Sequence, residues 1–332
     1  MYTDEDLDNA VVDGIFTREA VSDFRNQMSS LKNTPAVDEE NFKLISGFND
    51  IYVVIACLLL LISSSWALRA FSETLAVLIL PVLSWGLAEF FVLKRKMALP
   101  AIVLLMSFVG GIFAVGLHLF QTLGDSAFIA ASALSAVATF IHWQRFKVPI
   151  TISVGGGAVI AFIISSAVTI APILEESVST MIFISGLIAF IYAMYWDASD
   201  RTRTSHHSDV AFWLHLVSAP LIVHPVFSNL GILTGNESIY GVLTILALYF
   251  VMTVISIIVD RRAFMVSSLV YVLYALSKYL ETFGSIDYGF AITGTIIGSA
   301  LLLLSAFWHP TRVALLKILP TSVKDYVPVT SN

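Results

Sequence analysis

Residues 74–119 read TLAVLILPVLSWGLAEFFVLKRKMALPAIVLLMSFVGGIFAVGLHL, two apolar runs parted by the bases Lys94, Arg95 and Lys96. Each run is close to the roughly twenty residues that a helix needs to cross a bilayer. Backbone amides in lipid must be satisfied within the crossing segment, so the choice is between helices and closed barrels. Barrel strands would alternate in short segments; these runs do not. The pair therefore predicts a helical hairpin that crosses the membrane twice and turns at a cluster of positive charge.

The pattern extends in both directions. Apolar runs occupy Ile51–Leu68, Thr74–Leu93, Leu99–Leu119, Ala127–Trp143 and Val148–Ile170. They continue at Val178–Trp196, Val210–Phe227, Ile239–Val259, Phe264–Leu280 and Tyr288–Trp308. The expected fold class is all-α, a polytopic helical membrane protein of about ten spans. Composition agrees: 57% of the 332 residues are hydrophobic and 13% charged, against roughly a quarter charged in a soluble domain.

Charge placement tests the count. Beyond residue 50, twelve bases fall in alternate connections: Lys94, Arg95, Lys96, Arg145, Lys147, Arg201, Arg203, Arg261, Arg262, Arg312, Lys317 and Lys324. Only Arg69 and Lys278 fall in the others. A missed or invented span would scramble this alternation, so the positive-inside rule predicts ten spans with both termini in the cytoplasm.

Three segments are expected: an acidic cytoplasmic leader (1–50), the membrane domain (51–308) and a cytoplasmic tail with an interfacial helix (309–332). The leader holds eleven acids and four bases, which excludes a nucleic-acid surface. It lacks the basic-then-apolar order of a signal peptide, so the first span is expected to stay uncleaved. Thr3 and Thr17 are candidate helix caps and Gly14 a left-handed stop between two short helices. Pro35 and an amphipathic stretch from Asp38 to Phe48 follow. The thin apolar faces of these helices suit packing on the membrane domain or on a cytoplasmic protein partner. The single Cys57 lies within the first run and reads as a packing residue.

Leu7 through Gly14-Ile15 and Thr17 to Glu19, followed by many spans and closing on Trp308-His309-Pro310-x-Arg312, resembles a class of uncharacterised bacterial multi-pass membrane proteins. Such proteins open with a short soluble helical hairpin. The resemblance implies the bacterial inner membrane and carries no assigned activity. The ten-span layout is also similar to that of drug/metabolite transporters.

Ionisable groups inside spans are costly and point to function by default. Glu89 reads as a partner for Lys94–Lys96, and Asp197 as an ion pair with Arg201, four residues on. His142 and Asp209 lie toward the same side. The seventh run holds His215 and His224 on opposite faces, with Pro220 and Pro225 interrupting its outer half. The ninth carries Ser267, Tyr271, Tyr274, Lys278 and Glu281 on one face, either a cavity wall or an aromatic belt with Lys278 reaching outward.

The substrate-pathway candidates are thus His215, His224, Tyr271, Tyr274, Lys278 and Glu89. Lys278 and His224 are expected to face a common outer pocket. No metal or other cofactor is expected: His206, His207, Asp209 and Asp200 lack regular ligand spacing, and no nucleophile–base pattern marks an enzyme. Gly110, Gly111 and Gly116, Gly155 to Gly157, and the pair Gly294 and Gly298 read as close helix approaches. Consecutive glycines in the fifth run could alternatively mark unwound backbone. The expected roles are a permease-like transporter for a small solute or, in the alternative, a non-catalytic sensor or assembly factor whose leader binds a partner.

Overall fold

The computed structural model describes residues 4–31, 48–201, 203, 206–230, 239–283, 289–320, 324 and 326–328. Every regular element among them is helical: α1 (Asp4–Val12), α2 (Arg18–Leu31), α3 (Phe48–Arg69), α4 (Glu73–Ala88), α5 (Ala98–Leu119), α6 (Ser126–Phe146) and α7 (Ile150–Ile170). The order continues with α8 (Val178–Ser199), α9 (His206–Ser228), α10 (Ile239–Val259), α11 (Ala263–Phe283), α12 (Gly289–Ala306) and α13 (Trp308–Ile318). Nine helices are each long and apolar enough to cross a membrane, and the α12–α13 pair, bent by 72°, makes up to ten. The chain is an all-α, polytopic membrane protein.

The ten predicted runs coincide with α3 to α12 within a few residues, with one instructive exception. Trp308, expected to end the last span, instead opens α13. Its indole Nε1 donates to Asp260 Oδ1 at 2.7 Å, and that bond holds the chain where it turns out of α12. In the leader, Gly14 adopts φ 71° and the amide of Ala20 donates to Thr17 Oγ1 at 3.2 Å, the stop and cap read from sequence. An Arg25–Asp8 bridge of 3.1 Å ties α2 to α1. Thr3, Pro35 and nearly all of the amphipathic stretch from Asp38 to Phe48 lie outside the described residues.

The bundle has two halves. In the first, α3, α4 and α5 pack together and α6 and α7 follow as a hairpin; in the second, α9 packs on α8 and α11 and contacts α7 across the junction. Among the nine spans that qualify singly, α9 is the most enclosed.

Four hairpins, α4–α5, α6–α7, α8–α9 and α10–α11, turn at the base-rich end. Each turn carries a non-glycine residue with positive φ: Lys96 (51°), Lys147 (54°), Arg203 (53°) and Asp260 (59°). A left-handed residue stops a helix by sending its amide back into the preceding turn, as Lys147 does to the Trp143 carbonyl at 3.1 Å. For a side chain with a Cβ this conformation costs about 1–2 kcal/mol, and the structure meets that cost four times. Before Lys96 the helix also widens into a π turn over Glu89–Lys94. The likeness between turns that the sequence shows only as paired bases is therefore a shared backbone device.

The glycines divide. A Cβ at Gly116 would meet the Ala131 Cα at 2.6 Å, one at Gly111 would meet Pro81 Cδ at 2.7 Å, and one at Gly155 would meet Thr139 Cγ2 at 3.2 Å. Gly186, not singled out from sequence, lets α8 approach the Leu221 backbone of α9, where a Cβ would meet its carbonyl carbon at 2.9 Å. Gly110, Gly156, Gly157, Gly294 and Gly298 have nothing within 4 Å of the added carbon. The G-x-x-x-G of α12 thus packs against no helix among the described residues, and α7 stays a regular helix through its three glycines.

Gly116→Ala should therefore destabilise the protein by about 1–3 kcal/mol through overpacking. Gly294→Ala should be neutral or slightly stabilising, since alanine is the better helix residue by about 0.5–1 kcal/mol. Unfolding of both variants in mixed micelles would show equal losses if the two positions were packed alike.

Candidate functional site

The base-rich end of the second half is built around buried charge. Asp197 sits in the last turns of α8, His215 two turns into α9, and Arg261 in the short turn between α10 and α11. All three are essentially without solvent contact. Arg261 Nη2 donates to Asp197 Oδ1 at 2.6 Å, while Nε lies 3.4 Å from Oδ2. His215 Nε2 donates to the same Oδ2 at 2.8 Å. Arg261 Nη2 also reaches the carbonyl and hydroxyl of Ser208, both at 3.2 Å, and the guanidinium lies over the Phe212 ring, 5.9 Å from its centroid. Phe190 meets the His215 ring edge-on. One carboxylate thus joins α8, α9 and the α10–α11 turn.

A second carboxylate stands beside it. Asp260 accepts from Arg203 Nη1 at 2.9 Å and from the Trp308 indole, and Arg203 Nη2 also donates to its backbone carbonyl at 3.0 Å. Arg312 of α13 approaches Asp260 Oδ1 with Nε at 3.8 Å, and donates through Nη2 to the Pro328 carbonyl at 2.7 Å. Burial alone would raise the Asp260 carboxyl, but Arg203, then Arg312, outweigh it and hold it below the ordinary carboxylate range. Arg201 donates to the carbonyls of Lys324 and Val327, at 2.8 and 3.1 Å. The tail is in this way stitched to the same end.

The predicted partners of the acids change accordingly. Asp197 pairs with Arg261 and His215, 64 and 18 residues away, and its expected partner Arg201 turns to the tail. Glu89 meets Arg145 rather than Lys94–Lys96, in a bidentate pair of 2.9 and 2.7 Å that ties α4 to α6. Arg201 is taken up by tail carbonyls and Lys94 and Arg95 lie at exposed positions, while a base distant in sequence reaches each acid. His142 sits among Trp85, Phe108 and Phe146, with Nδ1 3.5 Å from Thr151 Oγ1.

At the other end, His224 of α9 shares a hydrogen bond through Nδ1 with the Tyr271 hydroxyl of α11. His215 and His224 do face different neighbours, as their spacing requires. Tyr274 and Lys278 lie further along α11 and, with Ser277, border a shallow depression of about 300 Å³ whose lining does not include His224. His224 thus meets Tyr271 across α9 and α11, and Lys278 borders a depression on α11. The Glu281 side chain lies outside the described residues. Despite Pro220 and Pro225, α9 is one continuous helix, so its outer half is not broken as read from sequence. Among the described residues no group of three or more His, Cys, Asp or Glu could hold a metal.

Sequence reading missed Arg261, Asp260, Arg203, Arg312 and Trp308 as members of a site and counted the arginines only as topological charge. Asp260-Arg261-Arg262, a turn of three residues all of them charged, was the available signal. In comparisons with protein-family models, curated proteins and solved structures, nothing matches this chain.

Removing one partner of a buried pair leaves the other charge uncompensated, at a cost of about 3–5 kcal/mol, whereas replacing both by apolar groups is often neutral. Asp197→Ala should therefore be strongly destabilising, and Asp197→Leu with Arg261→Met should recover most of the loss in the same unfolding measurement. Asp260 adds a pH dependence. Its folded pKa lies below the unfolded value of about 3.9, so its contribution is complete above that value and is lost as pH falls toward the folded pKa. Melting temperature should fall as pH is lowered below ~3.9 toward the folded pKa, and Asp260→Asn should flatten that fall.

Proposed function

We propose that this membrane protein passes a small solute along the α8–α11 half of the bundle, with the Asp197–Arg261–His215 cluster closing the base-rich end. The observation that carries this reading is the burial of that cluster at the end of a membrane bundle. Apolar side chains of similar volume would hold three helices together at no greater cost. What charged groups add is an end that can open, because water solvates a separated carboxylate and guanidinium where it would not solvate separated leucines. Helix α9 suits a moving element. Pro220 and Pro225 leave the carbonyls of Leu216 and Leu221 without their usual helical donors, and the helix carries His215 at the lock and His224 against Tyr271 toward the other end. The positive-inside rule assigns the base-rich end to the cytoplasm, and the resemblance noted above assigns the membrane to a bacterium.

A second reading, a sensor or assembly factor without a solute, is favoured by a different observation. The α11 depression is shallow, and a further cavity of about 130 Å³ between α11 and α12 is mostly apolar; neither is a polar chamber within the bundle. The leader hairpin exposes Val12, Ile15, Phe16 and Phe24, an apolar surface for a cytoplasmic partner.

The two readings separate on one experiment. Ser218, fully buried on α9 one turn beyond His215, becomes the probe as Ser218→Cys in a Cys57→Ser background. With Arg261 present, a membrane-impermeant thiol reagent applied from the cytoplasmic side should leave it unlabelled. With Arg261→Met it should react, and proteoliposomes loaded with a panel of small solutes should leak at least one faster. A folded Arg261→Met protein with neither labelling nor leak would sink the transport reading and leave the second.

A further inference from the structure

We propose that the groove between α11 and α12 at the base-rich end binds one phospholipid with an anionic headgroup, its phosphate at Arg262 and an acyl chain against Leu269 and Leu301. The inference is independent of the transport reading and rests on four observations.

The first is shape and chemistry. A cavity of about 130 Å³ opens between the two helices, walled by Met265, Leu269, Leu301 and Leu304. Such walls give a water molecule too few polar partners to hold it, whereas a hydrocarbon chain needs none. The second is the charge at its end. Arg262 borders the same cavity, and its guanidinium lies over the Trp308 ring at 5.1 Å. Stacking holds a guanidinium by its face, and the planar fork of an arginine matches phosphate geometry.

The third is that the ring under Arg262 is fixed. Trp308 is buried and its indole is held by Asp260 at 2.7 Å, so the cation sits on a platform set by the buried charge network. Ser305 also borders the cavity and brings a hydroxyl within the same site. The fourth is depth. Helix α13 leaves α12 at 72° and exposes Val313 and Ile318 alongside Lys317, the pattern of a helix lying at the membrane surface. Its first residue closes the groove, so the groove ends at headgroup level and runs from there into the hydrocarbon. Basic pockets between spanning helices on the cytoplasmic side have the charge and depth for anionic lipid headgroups.

The test uses the full chain in neutral detergent, titrated with phosphatidylglycerol or phosphatidylcholine of identical acyl chains and read by native mass spectrometry. The protein should retain phosphatidylglycerol preferentially. Arg262→Gln, at an exposed position, should reduce that preference about five-fold, the effect of one interfacial base on an anionic lipid. Lys317→Gln, an exposed base on α13 outside the groove lining, should leave the preference unchanged. Val266→Trp, which adds bulk at an exposed position on the groove wall, should lower retention of both lipids together. Equal retention of the two lipids by the unaltered protein would overturn the proposal. So would equal losses from Arg262→Gln and Lys317→Gln, which would mean attraction by general surface charge.

Discussion

A carboxylate that meets no water must be met by hydrogen-bond donors, at least one of them cationic, and where those donors come from dictates how the surrounding helices can sit. Asp197 is that carboxylate. Its two partners arrive from α9 and from the turn after α10, so the register of three separate helices is set by one side chain. Ser208 and Phe212, both on α9, then hold the other side of Arg261. Apolar contacts between helices in lipid have little directional preference, because lipid tails are as apolar as leucine. The ionic contacts supply direction at this end, and small residues at Gly111, Gly116, Gly155 and Gly186 allow close approach along the bundle.

The second network depends on the first through adjacent residues. Asp260 and Arg261 are neighbours in one tight turn, so fixing Arg261 on Asp197 presents Asp260 to Arg203 and Trp308. Trp308 fixes the turn from α12 into α13, and Arg312 carries the connection to the tail carbonyl of Pro328. Arg201 does the same at Lys324 and Val327. A disturbance at Asp197 is thereby linked through the α10–α11 turn to the tail and to the ring beneath Arg262.

The fold was legible in the sequence because its cause is local: a run of apolar residues has to become a helix in lipid whatever lies beside it, and the bases mark alternate turns. The site was legible only in part, and for the converse reason. Asp197, Glu89 and His215 announced themselves as ionisable groups within spans, but pairing is decided by which helices touch, and nearest-in-sequence bases were the wrong partners for both acids. Arg261 carried no mark that set it apart from other turn arginines. The two α12 glycines misled in the opposite direction, since a spacing that permits close packing does not say that a helix is there to use it.

The four left-handed turns bear on how such a chain is built. Each hairpin carries its own reversal, encoded within a few residues at Lys96, Lys147, Arg203 or Asp260, so two helices can cross the bilayer as a pair while their charged turn stays behind. The bridges that bind one turn to another span 56 residues from Glu89 to Arg145 and 57 from Arg203 to Asp260, about one hairpin in each case. They can close only after the following hairpin has entered. Reversal and locking are thus encoded separately: a few residues turn each helix pair, and a residue from a different hairpin is needed to fasten one turn to the next.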